Sequence, residues 1–155
     1  MAKKIILESR AEPSCFTIIG ISCHLKDYRL SFLLNQNMPA DFKKMADFPG
    51  VFSLYYYVDE ECRNSFYLLS NRNEEKFLFP DLKQTDFIML LDGPVKKARR
   101  DRMLKTIRAI PNVLTAFDIQ VGSLKNFPGF LADLELHFMA ISKENKTINP
   151  KLTKK

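Results

Sequence analysis

Three residues able to do chemistry crowd into GISCHLKDYRLSFLLN: a thiol, an imidazole and a carboxylate, at Cys23, His24 and Asp27. A cysteine beside a histidine can act as an activated nucleophile, and all three side chains can ligate a metal. The pattern predicts a helix over 23–37 capped by Ser22, and that placement works against both chemistries. Cys23 and Asp27 would share a face at i and i+4, while His24 would point about 100° away. The thiol and imidazole could not then converge on one atom. The structural reading makes Cys23 a small core residue, Asp27 a partner of the helix dipole and His24 a surface neighbour of the cap.

A second set, Asp133, Glu135 and His137, occupies alternate positions of LADLELHFMAI. On a strand these oxygen and nitrogen donors would line one face, as a divalent metal requires. Polar alternation on an exposed sheet face gives the same pattern, and no cysteine pair or nearby second histidine supports it, so no metal is assigned. Asp59, Glu60 and Glu61 are expected at a solvated hairpin tip. The five glycines are dispersed, which leaves no glycine-rich phosphate cradle, and no GxSxG or HExxH motif occurs. No catalytic residue and no cofactor are expected, and an enzyme of unrecognised class stands as the least favoured reading.

These residues have to be carried by a chain of 155 residues, 46% hydrophobic and 27% charged, with thirteen Phe and no Trp. That is enough for one globular domain with a substantial core. The apolar run in MAKKIIL is too short for a secretory signal, and no segment offers the roughly 18 apolar residues of a membrane-spanning helix, so a cytoplasmic protein without a membrane partner is expected. The cysteines at 15, 23 and 62 form no CxxC pair and are read as reduced thiols.

The net charge of +6 lies at the two ends: Lys3 and Lys4, and a tail from Lys143 to Lys155. Within the otherwise neutral body, KKARRDRMLKTIR (96–108) holds seven basic residues and one acid, which makes the folded part dipolar.

The apolar run FTIIGIS reads as a buried strand, followed by the helix to Asn37 with Leu25, Tyr28, Phe32 and Leu33 inward. ADFKKMADFPG reads as a loop. FSLYYYV alternates as a half-buried strand and pairs with SFYLLSN in a hairpin over 52–71, and DFIMLLD gives a further strand. The basic segment reads as a helix with Met103, Leu104, Ile107 and Ile110 inward and Lys97, Asp101, Lys105 and Arg108 outward, stopped by Pro111. Residues 114–121 alternate again. LADLELHFMAI fits both a strand and a helix, and its clean alternation favours the strand. The order β-α-β-β-β-α-β predicts an α+β two-layer sandwich, a mainly antiparallel sheet with both helices on one face, ferredoxin-like with extra strands. Residues 1–142 form the expected domain, and 143–155 a disordered basic tail.

GISCHLKDYRLSFLLNQNM, with IPNVLTAFDIQVGSLK after the basic helix, resembles the small bacterial IPExxxVDY family over roughly residues 3–130. Ile110 and Pro111 match the motif that names the family. Asn112 stands where Glu is expected, and Ala116, Phe117 and Asp118 replace Val, Asp and Tyr. The resemblance implies no activity and no catalytic residues, and through the neighbourhood of its members to a ribonuclease III it points toward RNA.

Two binding functions follow. An interaction or regulatory domain would dock a protein partner or a second copy through an aromatic patch of Tyr55, Tyr57, Tyr67 and Leu69 on an uncovered sheet face. An RNA-binding accessory protein would meet phosphates with Lys97, Arg99, Arg100, Arg102, Lys105, Arg108 and the lysine tail, and stack bases on the same tyrosines. The first is preferred, because Asp101 interrupts the basic stripe and pairs naturally with Lys97 and Lys105.

Overall fold

The computed structural model describes residues 16–48, 52–61, 63–73, 75–93 and 95–148. It is α+β, as expected. A six-stranded antiparallel sheet carries three helices: β1 (Phe16–Cys23), α1 (Asp27–Asn37), β2 (Lys43–Phe48), β3 (Phe52–Asp59), β4 (Asn64–Ser70), β5 (Phe87–Asp92), α2 (Lys97–Arg108), β6 (Val113–Ile119) and α3 (Phe127–Ile148). The strand order is β2-β3-β4-β5-β1-β6, with every neighbouring pair antiparallel.

The central strands are apolar at consecutive positions because both of their faces are buried. Ile19 and Ile21 of β1, Leu68 of β4 and Met89 and Leu91 of β5 meet Leu30 and Leu34 of α1 and Met103, Leu104 and Ile107 of α2. The alternate positions, Ile18, Leu69, Ile88 and Leu90, meet Phe127, Phe130, Leu131 and Leu134 of α3 on the other side. The expected pair of helices thus shares one face, and α3 covers part of the opposite one.

Three local expectations are corrected. The segment 131–141 is helical. A window opening at Leu131 leaves out Phe127 and Phe130, which complete a 127, 130, 131, 134, 138 stripe at helical spacing. The helix runs to Ile148, and residues 149–155 of the expected basic tail lie outside the described residues. Second, α1 starts at Asp27 and not at Cys23. β1 runs on to Cys23, opposite Val113, and the Ser22 hydroxyl donates to Gln84 O at 2.6 Å instead of capping a helix. The buried stripe is accordingly Leu30, Ser31 and Leu34, and Tyr28 and Phe32 are exposed. Third, part of the expected loop forms β2, an edge strand exposed at most positions and therefore without a hydrophobic signature.

Two polar devices fix the connections. Asn71 is fully buried; its amide donates to Leu82 O (2.8 Å) and Thr85 O (2.9 Å) while its Oδ1 accepts from Phe79 N (2.9 Å), so one side chain shapes the β4–β5 connection. Asn112 has φ +74° in the turn between α2 and β6. Asparagine adopts that left-handed conformation more readily than most residues. Its carbonyl accepts from His24 N at 3.2 Å, tying the turn to the end of β1.

Candidate interaction surface

The thiol–imidazole corner resolves into structural roles. Cys23 is buried at the end of β1, its N–H donates to Asp86 Oδ2 at 2.9 Å, and burial pushes its thiol pKa up, away from the reactive thiolate. His24 is exposed. Asp27 accepts a hydrogen bond from Tyr55 Oη at 3.0 Å. Asp133, Glu135 and His137 fall on a helix, where alternate residues diverge around the axis. Among the described residues no cluster of His, Cys, Asp or Glu is arranged to hold a metal ion. His137 instead reaches Ala46 O (2.9 Å) and packs edge-on against Phe48.

The tyrosines do not form one patch. Tyr55 is buried on the face covered by α1 and α2, and Tyr57 stacks on Phe66 on that same face. Tyr67 lies directly across from Tyr56, hence on the opposite face, where it meets Phe138 of α3; Leu69, on that side too, is fully buried. The open sheet face expected from a two-helix arrangement is the one that α3 packs against. A groove of about 430 Å³ remains between that helix and the sheet, lined by Phe16, Tyr56, Tyr67, Leu131, Phe138 and Met139 among others.

Three of the six cations of α2, Arg99, Arg100 and Arg108, reach other elements of the fold. Arg99 donates to Asp59 Oδ2 (2.7 Å) and Asn64 Oδ1 (2.6 Å), and lies over the Phe66 ring. This fastens α2 to the end of the β3–β4 hairpin and removes Asp59 from the expected solvated tip; Glu60 and Glu61 are exposed there. Arg100 approaches Asp118 of β6 at 3.7 Å. Lys97 pairs with Asp101 at 2.9 Å, and that hydrogen bond holds the Asp101 carboxyl below its ordinary pKa. Arg108 donates through Nε to Ala116 O of β6 at 2.7 Å. Among the described residues Arg102, Lys105 and Arg108 have no carboxylate partner, and all three are exposed.

The two edges of the sheet differ. A strand edge offers unpaired N–H and C=O groups, and proteins blunt it with lysines, bulges or a covering element. β2 has all three: Lys43 and Lys44 are exposed, its register breaks between Met45 and Phe48, and His137 of α3 reaches its Ala46 carbonyl. β6 has seven residues, no lysine and no proline, though its register on β1 also shifts, between the Ser22–Thr115 and Cys23–Val113 pairs, and Arg108 holds its Ala116 carbonyl. Its Leu114 is 63% exposed, Thr115 is exposed, and its one charged residue, Asp118, is turned to Arg100. Val113, Ala116 and Asp118 lie on the side covered by α2, and Phe117 and Ile119 on the other. The sequence shows β6 as a strand but cannot show that it is an edge, because edge position is set by the order of distant strands.

No protein-family model, no curated protein and no solved structure matches this chain. Among the described residues no helix is long and apolar enough to cross a membrane.

Proposed function

We propose that the protein is a non-catalytic interaction domain that engages a protein partner through the free edge of β6 beside α2. The observation that carries the reading is the difference in charge between the edges: both have a register break and one carbonyl held by a side chain, but β2 carries two exposed lysines, whereas β6 has neither lysine nor proline and presents an exposed leucine. The competing RNA reading is weakened at three of the six cations of α2. Arg99, Arg100 and Lys97 are engaged by Asp59, Asp118 and Asp101, and an arginine bound inside the fold releases few counterions on meeting phosphate. The expected base platforms are spread over two covered faces. The IPExxxVDY resemblance fits a domain without catalytic residues, and a cytoplasmic setting goes with it.

The test is affinity purification of the tagged chain, nuclease-treated, at about 150 mM salt, beside Leu114→Lys. A defined protein retained by the unmodified chain and lost from the variant supports the reading. RNA as the recovered ligand, unaffected by Leu114→Lys, contradicts it and promotes the RNA-binding accessory protein.

A further inference from the structure

The charge around β6 narrows what can lie along it. α2 runs beside this strand, joined to it by Arg100–Asp118 and Arg108–Ala116. The carboxylates on this flank, Asp101 and Asp118, are both taken, by Lys97 and Arg100, so Lys105 and Arg108, one turn apart, face no carboxylate, Arg108 holding the Ala116 carbonyl through Nε alone. On the other side of the sheet Phe117 is half-buried and packs against the core beneath α3.

A strand added to β6 would continue this division, since its side chains alternate between the two faces. Those on the α2 side would stand before Lys105 and Arg108, and those on the other side would extend the apolar surface of Phe117. We infer that β6 takes up an extended acidic segment of a partner protein, with carboxylates at alternate positions and β-branched apolar residues between them. Main-chain hydrogen bonds to the edge, apart from the Ala116 carbonyl that Arg108 already holds, would supply affinity, and the alternating charge would set the register. A second copy of the chain fits less well: pairing β6 with itself would bring two basic helices side by side. The inference rests on the reading of β6 as the docking edge.

The probe is the acetylated heptapeptide Glu-Val-Glu-Ile-Glu-Val-Glu, compared with its Lys-for-Glu counterpart, followed by amide hydrogen exchange in the full chain. The acidic peptide is expected to bind and slow exchange at 113–119, the basic one to do neither, and Lys105→Glu with Arg108→Gln to weaken binding about three- to tenfold, with a loss that grows as salt falls. Equal binding of both peptides, or binding without protection of 113–119, overturns the inference. If the acidic peptide is ignored while the protein partner is still lost from Leu114→Lys, the partner's acidity is wrong and the docking edge stands. If neither peptide nor protein engages β6, both fail.

Discussion

Tyr55 Oη donates a 3.0 Å hydrogen bond to Asp27 Oδ2, which joins the middle of β3 to the first turn of α1. Burial, and then the neighbouring carboxylate, push the Tyr55 pKa up to about 12. The neutral phenol is therefore the form that the fold favours. Its contribution is fully present below the ordinary value of 10.0 and is lost as pH rises from there through about 12. Ultraviolet difference titration should reveal a tyrosinate that forms near pH 12 and is missing in Tyr55→Phe. The same variant should lose about 1 kcal/mol at neutral pH. A full set of transitions near 10 would show that the bond does not form in solution.

Arg99 and Lys105 are both basic residues of α2, yet opposite outcomes are expected for them. Arg99→Ala leaves Asp59, Asn64 and the Phe66 ring without their partner and should cost roughly 1.5–3 kcal/mol in urea unfolding. Lys105→Ala should stay within about 0.5 kcal/mol. A neutral Arg99→Ala would return that guanidinium to the pool available for a ligand.

Asn71→Ala should be among the most damaging polar substitutions. It strands the Phe79 N–H and the Leu82 and Thr85 carbonyls in a buried connection, at a cost of at least about 2 kcal/mol. Hydrogen exchange should then accelerate first at 77–86. Uniform acceleration throughout the sheet would instead mean that the connection has no separate stability.

Cys23 should be slow to react. With its thiol buried and its pKa raised, alkylation by iodoacetamide at pH 7, followed by peptide mass mapping, should label this position only when the chain unfolds. Labelling of native Cys23 faster than a free cysteine would revive the nucleophile reading.

Local pattern reached the sheet more readily than it reached the site. The runs around Ile18–Ile21 and Phe87–Leu91 were legible because burial on both faces leaves an unbroken apolar signature, and Met103, Leu104 and Ile107 marked the inner face of α2. β2 was not legible, because an exposed edge carries no such signature. The helix at 127–148 was misread as a strand from Leu131 because alternation over a short window imitates period two. The tyrosines were read as one patch because sequence does not reveal that Tyr67 opposes Tyr56 and not Tyr55. The basic stripe was visible, but its engagement by Asp59 and Asp118 depends on contacts between residues far apart in the chain.

The measurement that bears most directly on the interaction edge is photocrosslinking in cells from a benzoylphenylalanine placed at Leu114, with Tyr28, exposed to the same degree on α1, as the control position. The predicted result is a discrete protein adduct from position 114 that is absent from position 28 and weakens when Lys105→Glu and Arg108→Gln are added. An adduct with RNA, equal labelling from both positions, or no adduct from position 114 would contradict the assignment of β6 as the docking edge.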